Sequence, residues 1–275
     1  MKKGVLYMLG STLSFSLMQI CVKYLTHLPP SELILFRSII SLSLCYTALK
    51  HYNIPILGNN KKVLFLRGLF GTVALLMFFY TLQNMPLASA VTIQYLSPIF
   101  TAIFASIFLK EKMQSKQWIF FAISFIGVLL IKGFDSRISY FFMCIGIVSA
   151  CFSGLAYSCI RKLKESEHPL VVVLYFPLVS IPIMLIASYF NWVTPKGIDW
   201  LYIILMGIFT QIAQLFMTKG IQSGLANKMI SLKYIGTIYA LAIGFILFGE
   251  SYEIISLLGI VLVILGVVLN LRKST

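Results

Sequence analysis

Ten stretches of this 275-residue chain are each long and apolar enough to fill a hydrocarbon core about 30 Å thick, which takes about 20 residues of helix. They fall at approximately 4–25, 32–49, 63–83, 87–109, 116–134, 138–160, 170–190, 198–218, 226–248 and 252–270. The connections are short. The longest, 50–62, carries "HYNIPILGNNKK", whose Pro55, Gly58 and paired asparagines mark a turn-rich loop. No soluble domain fits between the stretches. With 59% hydrophobic and 11% charged residues and a mean hydropathy of +0.94, the chain lies far outside globular usage. The expected class is an all-α, multi-pass integral membrane protein. The opening "MKKGVLYMLG" resembles the start of a signal peptide, but its apolar run continues to about Leu25 without a small-x-small cleavage site, so it reads as a retained first helix.

Basic residues in short loops mark the cytoplasmic side. With the N-terminus inside, that side collects Lys2, Lys3, Lys50, Lys61, Lys62, Arg67, Lys110, Lys112, Lys116, Arg161, Lys162, Lys164, Lys219, Lys228, Arg272 and Lys273. The other side receives Lys132, Arg137 and Lys196. Both termini are therefore expected in the cytoplasm, and the placement fits the inner (plasma) membrane of a prokaryote. The same asymmetry accounts for most of the +14 net charge, as a basic face against anionic lipid, so no nucleic-acid partner is expected. Cys21, Cys45, Cys144, Cys151 and Cys159 lie in apolar stretches without metal-type spacing and read as small packing residues. No cofactor is expected.

The chain also resembles itself. An offset of 139 residues places Tyr95 on Tyr234, Ile99 on Ile238, Glu111 on Glu250 and "GVLL" from Gly127 on "GVVL" from Gly266. An offset of 138 places "STLSFSLMQICVKYL" from Ser11 on "SACFSGLAYSCIRKL" from Ser149. Each copy, 1–134 and 138–272, then holds five spans. An odd number makes the second copy enter the membrane with opposite orientation, the layout of secondary transporters with inverted repeats.

Within the copies, "ASAVTIQYLSPIFTAIFASIFLKEKMQSKQWIFFAISFIGVLLI" (88–131) resembles the EamA-type carriers of the drug/metabolite transporter superfamily. It has a mid-span Pro98, a closing Glu111, the polar turn "KMQSKQ" and a helix running into Gly127-Val128. The second copy is similar through Gly249, Glu250, Gly259 and Gly266. It departs at Thr237, where the proline would stand, and Phe120 occupies the place matching Gly259. The resemblance implies ten spans in a five-plus-five inverted repeat and movement of small metabolites, with export of amino acids and other metabolites common.

Ionisable groups inside hydrocarbon are costly, so each is a functional candidate. Lys23 is near enough to the outer end of its span to snorkel. Arg37 is shallow enough to reach water or Glu32, or to line an outward-facing vestibule. Lys233 lies roughly 10 Å into the ninth span at 1.5 Å per residue. Its neighbour is Tyr234, and the first-copy counterpart of this pair is Gln94-Tyr95. Two such pairs would flank one central cavity, where Lys233 could hold a carboxylate or phosphate. Gln211 and Gln214, three apart on one helix face, and Gln19 and Tyr157, equivalent under the 138 offset, are the remaining candidates for a polar interior. Pro98 should kink the fourth span beside Tyr95, and Pro177 and Pro182 should bend the seventh. Gly68, Gly71 and Gly127 read as close-packing positions.

The carboxylates all fall at span ends or in loops, and Glu111 and Glu250 read as structural. His27, His51 and His168 are in loops, and no acid pair, metal cluster or phosphate loop appears, so an enzyme is not expected. The expected function is alternating-access transport of a small molecule across the lipid bilayer, as an exporter of amino-acid-like or other anionic or zwitterionic compounds. The alternatives are an importer or exchanger of a metabolite such as a nucleotide derivative, or a non-carrier membrane protein.

Overall fold

A computed structural model describes residues 2–108, 115–134, 137–222 and 235–273. They form α1 (Lys2–Tyr24), α2 (Pro30–His51), α3 (Lys61–Asn84), α4 (Leu87–Gln94), α5 (Ser97–Phe108), α6 (Ser115–Phe134), α7 (Tyr140–Lys162), α8 (Pro169–Tyr189), α9 (Asp199–Gln222), α10 (Ile235–Phe248) and α11 (Ile254–Lys273). No strand occurs among the described residues. Among the described residues six segments are long and apolar enough to cross a membrane: α2, α3, the α4–α5 stretch Leu87–Phe104, α7, α8 and α9. Shorter apolar helices lie at Trp118–Ile131, Ile235–Phe248 and Ile254–Leu269. The protein is an integral, multi-pass membrane protein, and helices suit it because lipid offers no partner to an open backbone group.

Local chemistry sets several helix starts. Pro30 and Pro169 open α2 and α8, where a missing N–H costs nothing. The Asn60 side chain accepts from Val63 N at the start of α3, and Ser139 Oγ accepts from Phe141 N at the start of α7. Gly249, with φ +60°, turns the chain after α10.

The fourth span is broken rather than only kinked. Pro98 cannot donate to the Gln94 carbonyl four residues back, and its ring crowds that carbonyl. The helix stops at Gln94 and restarts at Ser97, with Tyr95 and Leu96 between. By contrast, α8 stays helical through Pro177 and Pro182.

The closest helix pairs are α1 with α9, α3 with α7, α2 with α8 and α6 with α11. Each joins a helix of the first 134 residues to one of the second half. Lengths match across the halves: α1 and α7 have 23 residues, α3 and α9 have 24, α6 and α11 have 20. At the α6–α11 crossing a Cβ on Gly127 would stand 2.6 Å from the Gly259 carbonyl oxygen, and one on Gly266 would stand 2.6 Å from that of Phe120. The backbones touch where only glycine permits it, as small residues allow in helix packing without water.

Polar ties gather at the two ends of the bundle. At one, Lys23 pairs with Glu250 at 3.2 Å, His27 with Asp199 at 3.0 Å, and Glu32 Oε2 accepts from Val193 N at 3.0 Å. At the other, Glu167 Oε1 accepts from Asn59 N and Asn60 N, both at 2.6 Å. Lys23 therefore meets an ion partner instead of snorkelling to solvent. Glu111, the counterpart of Glu250 under the 139-residue offset, lies outside the described residues.

Candidate functional site

Between the ends lies a cavity with about 870 Å³ of empty space, counting the part that merges with open solvent. Its walls come from α1, α3, the broken α4–α5 span, α7, α8 and α9. The polar part of the wall includes Gln19, Arg67, Gln94, Tyr95, Tyr157 and Gln214. Much of the rest is apolar, with Phe15, Met18, Leu75, Phe78 and Met217 among the contributors.

The broken span supplies two of the polar residues. Gln94 ends α4, where its Nε2 donates to Ser153 Oγ at 2.6 Å and its Oε1 accepts from Ser149 Oγ at 2.9 Å, fastening the break to α7. Tyr95 stands in the gap, and its hydroxyl packs on Gly236 of α10, where any Cβ would collide with it.

Among the described residues, Arg67 is the cation of the wall. It sits six residues into α3, about 9 Å along the axis at 1.5 Å per residue. It is 2% exposed, and its Nη2 donates to Gln214 Oε1 at 3.0 Å. Its Nε and Nη1 are buried without a hydrogen-bond partner. The guanidinium carbon lies 5.2 Å from the centroid of the Phe176 ring. Arg37, on α2, approaches the same ring at 4.6 Å, is 1% exposed, and also has Nε and Nη1 without a partner. Both contacts are cation–π arrangements, which satisfy a charge only in part. Close passage of α3 along α8 makes the cluster possible. A Cβ on Gly68 would stand 2.6 Å from the Tyr175 carbonyl oxygen, and one on Gly71 would stand 2.9 Å from Phe176 Cδ2 and 3.3 Å from Arg67 Nη1.

Five residues expected in a polar interior, Gln19, Gln94, Tyr95, Tyr157 and Gln214, line this one cavity. Gln211 does not. Its Oε1 accepts from Ser41 Oγ at 2.5 Å and its Nε2 donates to Cys45 Sγ at 3.1 Å, so its amide joins α9 to α2. Arg37 reaches neither water nor Glu32, because α2 turns it inward against Phe176 and Glu32 is engaged by Val193. Lys233 and Tyr234 lie outside the described residues. Arg67, counted above as a cytoplasmic-end cation, is instead in the cavity wall. Its signal in the sequence is "RGLFG": an arginine beyond the flanking Lys61 and Lys62, with glycines one and four positions on, on a helix otherwise apolar.

The sequence signature of the EamA-like transporter family matches this chain twice, at residues 2–133 and 140–272. The pseudopaline exporter CntI of Pseudomonas aeruginosa is 26% identical over 273 residues, covering 97% of this chain and 95% of that protein. The S-adenosylmethionine uptake transporter of Rickettsia felis is 23% identical over 268 residues, covering 95% and 90%. A solved crystal structure superposes with a TM-score of 0.70 at 16% identity, covering 99% of this chain and 98% of the other, which establishes the shared fold. With the signature spanning both halves, the chain belongs to the EamA-like transporter family and is a membrane transporter, not an enzyme.

Proposed function

We propose that this protein is a secondary carrier working by alternating access, which exports small anionic or zwitterionic metabolites, amino-acid-like compounds among them, across the inner membrane of a prokaryote. The observation that carries the reading is the central cavity. Gln19, Arg67, Gln94 and Tyr95 come from the first half of the chain, and Ser153, Tyr157 and Gln214 from the second. A site held between halves is the arrangement alternating access needs, since rocking one half against the other exposes it to either side.

Two units, 1–134 and 138–272, related by a pseudo-two-fold axis in the membrane plane, account for several further facts. Helices α7 and α9 begin 138 residues after α1 and α3, and α8 and α11 begin 139 after α2 and α6. The Gly127–Gly259 approach is matched by Gly266–Phe120, the partner expected under the 139-residue offset. The charge bias of the loops supports cytoplasmic termini. The CntI relative is named for export, which supports that direction; the Rickettsia relative, named for uptake, favours import as the second reading.

Proteoliposomes test both. Purified protein is reconstituted and challenged with labelled amino acids, dicarboxylates, nucleotides and sugar phosphates, loaded either inside or outside. Saturable flux of an anionic or zwitterionic compound is the expected result. Acceleration by the same compound on the opposite face identifies an exchanger. Flux that rises linearly with concentration, or none for any compound, sinks the carrier reading.

A further inference from the structure

Arg37 and Arg67 are two buried cations without a matching anion among the described residues. Among the described residues the ion pairs are Lys23–Glu250 and His27–Asp199, and neither involves Arg37 or Arg67. We infer that Arg67, oriented by Gln214 and reinforced by Arg37 across Phe176, forms an oxyanion subsite in the cavity wall that receives the carboxylate or phosphate of the transported compound. The inference rests on the carrier reading above and adds to it the residues that hold the substrate's anionic group.

A guanidinium removed from water needs its charge offset and its N–H groups occupied, and an uncompensated buried charge is strongly unfavourable. Arg67 meets half of that requirement internally. Gln214 Oε1 occupies Nη2, which fixes the plane of the group, while Nε and Nη1 stay without a partner. Arginine's planar fork presents paired donors that match the two oxygens of a carboxylate or phosphate; Gln214 takes one of the two N–H groups of Nη2, and the other can pair with Nε or with Nη1 on one edge of the group. Nη1 lies buried beside Gly71, 3.3 Å from where a Cβ would stand. Arg37 lies too far behind to join the wall, but its charge on the same aromatic ring raises the positive potential there.

Packing of the repeated unit does not call for these arginines. The positions equivalent to Arg37 and Arg67, counted from the starts of α8 and α9, are Phe176 and Leu205. The second half builds the same helices without the charges. The apolar part of the cavity lining, with Phe15, Met18 and Phe78, suits a small organic anion with a hydrocarbon body.

The test uses the purified full-length chain in detergent and follows its thermal unfolding with acetate, succinate, L-glutamate, inorganic phosphate or sulfate, each against chloride at matched ionic strength. At least one oxyanion is expected to raise the unfolding midpoint saturably. Arg67→Gln abolishes the rise, and Arg67→Lys keeps part of it at several-fold higher concentration. Response to the carboxylates alone or to phosphate alone identifies which oxyanion the substrate carries. Without any added oxyanion, Arg67→Gln unfolds no lower than the wild type, since it removes an uncompensated cation; a clear drop would mark a structural arginine and overturn the proposal. So would the absence of any oxyanion effect on the wild type, or an effect that survives Arg67→Gln. In proteoliposomes, saturable transport undiminished by Arg67→Gln leaves the carrier and removes the subsite. An Arg67-dependent oxyanion effect in a protein that transports nothing leaves the subsite and removes the carrier.

Discussion

The absence of one methyl group, at Gly71, sets how closely the Phe176 ring and the Arg67 guanidinium pack at this point of α3. A Cβ there would stand 2.9 Å from the ring and 3.3 Å from Nη1, so Gly71→Ala must push both toward the cavity. We predict a loss of about 1–3 kcal/mol in stability, the usual cost of overpacking, together with a several-fold rise in KM. Thermal unfolding and concentration-dependent uptake check the two effects. Gln94→Leu removes both bonds to α7 and takes the partner from the Ser153 hydroxyl, while Ser149 keeps the Ala74 carbonyl, which should cost about 1–3 kcal/mol in the same assay. Polar residues in apolar stretches were the legible part of the site, because nothing else about those stretches would hold an amide. Arg67 was not, since its distance from the end of α3 also suits a snorkelling cation. Depth along a helix can be counted from sequence, whereas the direction a side chain faces cannot when the helix is apolar all round. Gln211 and Gln214 show the limit: three residues apart, one joins α2 and the other holds Arg67.

Among the elements, the break at Tyr95 and Leu96 depends on Pro98. Pro98→Ala returns an N–H to the Gln94 carbonyl and lets α4 run into α5. We predict unchanged or higher thermal stability with transport reduced at least several-fold, because Tyr95 and Gln94 would rotate out of their present places. Preserved transport would show that the break has no part in the cycle. The start of α8 carries a pH dependence. His168 Nδ1 accepts from Leu170 N at 3.2 Å, a cap that only the unprotonated nitrogen provides. Burial, and then the nearby charge of Lys219, hold its pKa below the ordinary 6.5. Above that value both folded and unfolded chains are neutral at this site. As pH falls below it, the unfolded chain takes up the proton first, so stability declines until the folded histidine also protonates. His168→Asn keeps a capping acceptor that does not titrate, and should flatten the fall of the unfolding midpoint between neutral and mildly acidic pH. A slope equal to the wild type's would place the pH effect elsewhere.

For the whole molecule, the membrane class and the apolar helices were readable because hydrophobic length is a property of the chain itself. The ties that close the bundle were not, because they join residues far apart in sequence. Glu250 is the example. Its carboxylate accepts from Leu87 N at 2.8 and 3.0 Å and from Tyr252 Oη at 2.5 Å, and pairs with Lys23, whose ammonium also donates to the Met85 carbonyl at 2.6 Å. One cluster thus joins the end of α1, the end of α3, the start of α4 and the turn after α10. If the halves rock apart, this end of the cavity opens only when that cluster separates. Glu250→Gln removes the charge while keeping the shape, leaving a mostly buried ammonium with carbonyl partners alone. Breaking a buried pair from one side costs up to about 3–5 kcal/mol, so Lys23→Gln with Glu250→Gln should lose less than the two single changes summed. The functional consequence is separable from the energetic one. With native cysteines removed and Met18→Cys placed in the cavity wall, a membrane-impermeant maleimide should label Glu250→Gln faster than its parent from the side on which Lys23 lies. Equal labelling in both would make the cluster a structural clasp and sink its role as a gate, whatever the change in stability.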